Sequence, residues 1–186
     1  FCGPLNTFFM CDNNDIFATG FNYNGQLGLS EKSCRGKTEI HNFFVEPRKV
    51  YTNKKKIKDI GCEMSRTYFI DSVGTAWGVG LGLKKGKIYI SDDIIGTFQQ
   101  ITNGDKNFEY LYSGYNHTIF RTGDNSLYGF GKNNHKQLNI EGMEFVTDLT
   151  HLNGEFDKKV TKMACGGNNS IISYKDPNNN DGDIKF

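Results

Sequence analysis

Apolar and polar residues along this chain alternate in short runs instead of following long helical stripes. In HTIFRTGDNSLYGFG (117–131), two short runs rich in aromatic and branched side chains flank a Gly/Asp/Asn/Ser turn, which is the pattern of a β-hairpin. No segment keeps a 3.6-residue apolar period over a dozen positions, so the chain predicts strands throughout. The pattern also recurs at long range. IKDIGCEMSRTYFI (57–70), FEYLYSGYNHTIFR (108–121) and VTKMACGGNNSIIS (160–173) superpose without a gap. This brings Ile57, Phe108 and Val160 together, and likewise Thr67, Thr118 and Ser170. FCGPLNTFFM opens the chain with Thr7 in the same phase, and Gly20, Gly80 and Gly131 close the second strand of each hairpin.

Repeat units of roughly this length, each a small antiparallel sheet, cannot bury both faces alone; packed face to face around an axis, each covers its neighbour. The spacing therefore predicts an all-β propeller segment of about four four-stranded blades. The units run approximately over 1–56, 57–107, 108–159 and 160–186, the last one incomplete.

NTFFMCDNNDIFATGFNYNGQLGL and NHTIFRTGDNSLYGFGKNNHKQLN, together with MACGGNNSIISYKDPNNNDGDIKF, resemble the repeat of the regulator of chromosome condensation family. That repeat is an Ala-Cys-Gly segment, then His-Thr and an apolar strand, an acidic-glycine turn, a strand ending in Trp-Gly, and Asn-x-x-Gly-Gln-Leu-Gly. The middle copy departs most, with GLKKGKIY at 82–89, and the third carries Lys136 and Asn139 in place of glycines. The resemblance implies a propeller of about seven blades, of which this chain would hold about four. It also implies two functions: a protein-interaction scaffold, or a guanine nucleotide exchange factor for a Ran-like small GTPase. No exchange wedge is identifiable by residue match.

The glycines of DIFATGFNYNGQLGL (15–29) admit two readings, a phosphate cradle or a tight architectural turn. No helix follows to supply amide donors, so Gly20, Gly25 and Gly28 are expected at positive φ, with Gln26 satisfying buried backbone and Leu27 entering the core between blades. GVGLG at 78–82 reads the same way.

Charge and candidate chemistry narrow the function. Lys and Arg total 22 against 21 Asp and Glu, so no net field draws the chain to nucleic acid or an anionic bilayer, and chromatin or DNA association stands as a third reading. No apolar run approaches the roughly 18–20 residues of a spanning helix, and no leader is recognisable at Phe1. Five cysteines, an odd number without a C-x-x-C pair, predict neither zinc nor a disulfide framework and suit a reduced intracellular compartment, cytoplasmic or nuclear. Cys2, Cys62 and Cys165 share one column and are expected to pack there. His117 is expected to hydrogen-bond between blades, while His41, His135 and His151 stand alone in polar loops. DPNNNDGD (176–183) has Asp181 where a calcium loop needs glycine. The chain thus predicts no cofactor, no metal and no catalytic residue. Two basic stretches, with Lys54, Lys55 and Lys56 in the first and Lys84 and Lys85 in the second, are either solvated loops or a partner-docking patch. The expected partners are a protein bound through the blade-connecting loops, and further blades or a second subunit covering the edge strands.

Overall fold

The computed structural model describes residues 1–30, 42–50, 55–84, 87–102, 105–152, 159–175 and 183–185. Its strands in chain order are β1 (Asn6–Met10), β2 (Ile16–Phe21), β3 (Phe43–Lys49), β4 (Ile57–Cys62), β5 (Arg66–Asp71), β6 (Ala76–Leu81), β7 (Leu83–Lys84), β8 (Lys87–Ile88), β9 (Ile94–Gln100), β10 (Phe108–Ser113), β11 (His117–Thr122), β12 (Leu127–Lys132), β13 (Phe145–His151), β14 (Lys159–Gly166), β15 (Asn169–Lys175) and β16 (Asp183–Lys185). Both stretches whose helicity would have contradicted the repeat, 57–70 and 108–121, are strand pairs.

Four antiparallel meanders follow one another: β1-β2-β3, β4-β5-β6-β9, β10-β11-β12-β13 and β14-β15-β16. The two central sheets have four strands; the outer two have three among the described residues. The first sheet nevertheless keeps a trace of an inner strand, because Cys2 bridges Thr7 just as Cys62 pairs with Thr67, Ser113 with Thr118 and Cys165 with Ser170. The inner strands β4, β10 and β14 adjoin one another, so the sheets stand radially as a partial β-propeller.

Alternation along each strand sends side chains to two neighbours, and three apolar cores form between successive sheets. Phe8 and Leu27 meet Phe69, Val79 and Phe98 in the first core. Tyr68 and Ile70 meet Phe120 and Phe130 in the second, and Ile119 and Leu138 meet Val160 and Ile172 in the third. Each fully buried side chain of this size contributes about 1.5–3 kcal/mol, so the stability of a sheet resides in its neighbours.

The strand-end glycines explain the shape of each sheet. Gly20, Gly80 and Gly131 have φ of 111°, 120° and 109°, and a Cβ there would lie 2.3–2.4 Å from the carbonyl oxygens of Leu5, Ser65 and Asn116. At the same points the outer strand slips: Ala18 opposes Arg48 but Gly20 opposes Phe44, Gly78 opposes Gln99 but Gly80 opposes Ile95, and Gly129 opposes Thr150 but Gly131 opposes Val146. The outer strand bulges and twists away, and a backbone without a side chain is what lets the inner turn approach.

Candidate interaction surface

Each sheet has two ends. One carries the hairpin turns near Asn14, Gly74 and Asn125. The other, termed here the exit end, carries the strand-end glycines, the β4–β5, β10–β11 and β14–β15 turns, and the loops that lead to the outer strand. The exit-end loops are built from within by their amides. Asn22 Oδ1 accepts from Leu27 N at 2.8 Å and Asn133 Oδ1 from Leu138 N at 2.9 Å, while Gln26 Oε1 accepts from Asn24 N and Gln137 Oε1 from His135 N. Gly25 and Gly28 sit at φ 75° and 67° as expected, and Lys136 and Asn139 hold the same left-handed region at 58° and 51° without glycine's freedom.

Gln26 does one thing more: its Nε2 donates to Met64 O of the second sheet at 3.0 Å. Backbone bonds make the corresponding links further on, from Met64 N to Tyr115 O and from Tyr115 N to Gly167 O. The first sheet has Pro4 in that column, which carries no N–H, and the glutamine amide supplies the missing donor. In the third sheet both devices are present, so Tyr115 N occupies Gly167 O and Gln137 Nε2 is buried without a partner. The second sheet lacks the glutamine altogether. Its deviant GLKKGKIY forms the β7–β8 hairpin, whose Leu83 and Ile88 fill the second core and whose Lys87 pairs with Asp148 of the third sheet at 2.6 Å.

A buried polar column runs beside these links. His117 Nε2 bonds to Ser170 Oγ of the next sheet at 2.9 Å, with the Asn169 backbone beside it. Burial lowers the imidazole's pKa to about 4. In the second sheet Arg66 takes the histidine's place and Glu63 that of Gly114. Arg66 Nη1 donates to Glu63 Oε2 at 3.0 Å, and Thr118 Oγ1 donates to Glu63 Oε1 at 2.8 Å. Burial pushes the Glu63 carboxyl up; the guanidinium and the threonine hydroxyl oppose that shift. The first sheet has the shorter Asn6, whose amide finds no partner. The thiols beside this column are held protonated by burial, Cys62 pushed up to about 12 and Cys165 to about 11. Sequence reasoning passed over the Glu63–Arg66 pair; its signal was that two columns three residues apart depart from the repeat in the same copy.

The basic residues named from sequence do not converge. Lys55 and Lys56 lie at the hairpin end, where Lys56 O accepts from Ser72 N. Lys55 rests over the Trp77 ring at 5.0 Å and 4.0 Å from Asp71. Lys84 is exposed on β7 at the exit end, so a six-residue strand, roughly 20 Å at 3.3 Å per residue, separates the two stretches. Lys54, Lys85, His41, Cys34 and most of 176–183 lie outside the described residues. His135 is exposed in its loop, whereas His151, expected alone in a loop, is the last residue of β13 and sets its ring 5.0 Å from that of Tyr128; among the described residues no cluster of His, Cys, Asp or Glu could hold a metal. No described helix is long and apolar enough to cross a membrane. Exposed apolar groups instead gather at the exit end: Tyr23 and Phe43 on the first sheet, Tyr89 and Ile90 beyond the β7–β8 hairpin, and Met143 on the third. Phe21 stacks on Tyr23 with ring centroids at 6.2 Å and meets Phe43 at a tilt of 48° and 5.0 Å.

Comparison with known proteins follows this architecture. The family described as regulator of chromosome condensation (RCC1) repeat matches residues 111–137, which span the turn, the His117 column, the strand-end glycine and Gln137. Those residues are an RCC1-type repeat. Among curated RCC1-type relatives, the X-linked retinitis pigmentosa GTPase regulator of Canis lupus familiaris is 35% identical over 81 residues, 40% of this chain and 8% of that protein. The ultraviolet-B receptor UVR8 of Arabidopsis thaliana is 22% identical over 171 residues, 91% of this chain and 37% of that one. The crystal structure of Prp20p from Saccharomyces cerevisiae, titled with its binding properties to Gsp1p and histones, superposes with a TM-score of 0.74 at 17% identity, covering 89% of this chain and 41% of that one. The chain thus spans less than half the length of each RCC1-type protein compared.

Proposed function

We propose that this segment is a non-catalytic scaffold in an intracellular protein, whose exit-end loops hold a protein partner. The observation that carries the reading is the row of exposed apolar side chains at the exit ends of three successive sheets, Tyr23 and Phe43, then Tyr89 and Ile90, then Met143. Loops on a rigid frame are where such scaffolds bind, and aromatic and methionine side chains are enriched at protein interfaces. Charged side chains at that end have both signs, which disfavours a purely electrostatic partner such as DNA. Quantitative affinity capture with the wild type and with an Ile90→Asp/Met143→Asp variant tests it. Proteins retained by the first and lost by the second, at equal melting temperature, support the exit end as the docking face; identical capture contradicts it.

A second reading, nucleotide exchange on a Ran-like small GTPase, draws support from relatives, one named a GTPase regulator and another titled with binding to Gsp1p. Accelerated release of a fluorescent guanine nucleotide from such a GTPase is the expected result. No acceleration at saturating protein overturns this reading and leaves the scaffold reading standing.

A further inference from the structure

Two of the chain's four methionines present their side chains at the exit end. Met64 stands in the β4–β5 turn of the second sheet, 37% exposed, and Met143 in the loop leading to the outer strand of the third, 54% exposed. Both sheets pack against a neighbour on either side, so these side chains project from the exit face itself. Their backbones are pinned. Met64 N donates to Tyr115 O and Met64 O accepts from Gln26 Nε2, both at 3.0 Å, while Met143 O accepts from Asn133 Nδ2 at 2.7 Å. Neither side chain belongs to an apolar core, whereas Met163 packs against the third. Met10, the fourth methionine, is 45% exposed at the hairpin end of β1. Thiols and thioethers meet peroxide differently. A thiol reacts as its thiolate, and burial holds Cys62 and Cys165 protonated, pushed up to about 12 and about 11. A thioether has no proton to lose, so access governs its oxidation.

We propose that Met64 and Met143 are oxidation sites through which peroxide turns off the docking face, an inference that rests on the exit-end reading given above. Hydrogen peroxide transfers one oxygen atom to each thioether sulfur. The O–O bond breaks, an S–O bond forms, the sulfur is oxidised by two electrons and the peroxide leaves as water. Each sulfoxide then sets a polar S–O group where a partner must bury apolar surface. The fold is spared, because both side chains lie outside the cores and the bonds that fix the two residues use their backbone atoms. Enzymatic reduction of the sulfoxides restores the thioethers, which makes the switch reversible.

Limited treatment of the purified protein with hydrogen peroxide, followed by peptide mapping, is expected to give sulfoxide at Met10, Met64 and Met143 before Met163, with the melting temperature unchanged. Affinity capture then follows the proteins that untreated wild type retains and Ile90→Asp/Met143→Asp loses. Their yield is expected to fall about tenfold or more after oxidation and to return after treatment with methionine sulfoxide reductases A and B. Oxidised Met64→Leu/Met143→Leu should retain them, although it keeps Met10 and the exposed thiols of Cys2 and Cys11. Undiminished capture by oxidised wild type, equal loss from the leucine variant, oxidation of Met163 as early as the exit-end pair, or a lowered melting temperature would each overturn the proposal. Identical capture by untreated wild type and the aspartate variant would instead remove the docking reading, and this inference with it, whatever the peptide map shows.

Discussion

His117 illustrates how much one column decides. Its imidazole is buried and neutral with a pKa lowered to about 4, whereas in the unfolded chain it titrates near 6.5. The unfolded state therefore takes up a proton first as pH falls. The stability held above about pH 6.5 declines toward pH 4, by roughly 3 kcal/mol at most. Urea unfolding of the wild type and of His117→Gln at pH 7.5 and 5 should show the steeper loss in the wild type; parallel losses would mean that another group carries the acid sensitivity. Lys136 offers a second check. A lysine in the left-handed region costs about 1–2 kcal/mol, and glycine adds about 0.5–1 kcal/mol of chain entropy to the unfolded state, so Lys136→Gly is expected to stabilise by about 0.5–1 kcal/mol. A lowered melting temperature would show that the lysine side chain contributes more than its backbone costs. Both residues were legible as members of columns, because the repeat sets their phase. The hydrogen-bond partner of His117 was not, since Ser170 lies 53 residues away in the next sheet.

At the scale of elements, the second sheet departs twice from the repeat and compensates each departure by a different route. Its exit loop loses the amide motif and folds as β7–β8, which covers the second core with Leu83 and Ile88. Its polar column replaces Gly and His with Glu63 and Arg66, and the carboxylate, not an imidazole, reaches Thr118. Removing one partner of a buried pair leaves an uncompensated charge, so Arg66→Met is expected to cost about 3–5 kcal/mol. The double change Glu63→Gly/Arg66→His restores the column of the third sheet and should recover most of that loss in denaturant melts. Additive losses would mean that the two residues act independently. Strand positions were readable from short apolar runs in all four units and from glycine phase in the first three. The hairpin at Leu83–Ile88 was not, because GLKKGKIY matched neither the repeat nor an apolar run long enough to indicate a strand. The lysines were legible as stretches, but only the fold separates them to opposite ends of one sheet.

For the whole molecule, burial along one column shows how the sheets are covered. Phe69, Phe120 and Ile172 face the preceding sheet and are 1%, 0% and 7% exposed, while Phe9 in the same phase of the first sheet is 46% exposed. Phe9→Asp should leave the melting temperature within a few degrees and reduce self-association in sedimentation, because a large uncovered apolar face promotes both sticking and pairing. Phe69→Asp, which buries an unpaired charge, should prevent folding. A melting loss for Phe9→Asp comparable to that of Phe69→Asp would mean that the first sheet's outer face is covered. The account as a whole rests on successive sheets being joined at the exit end through the backbone. Residue-resolved hydrogen exchange at the Met64 and Tyr115 amides tests this most directly. Both donate between sheets from turns that would otherwise exchange freely, so the account predicts protection within about tenfold of the β5 and β11 core amides. Exchange at loop rates while those strands remain protected would contradict it.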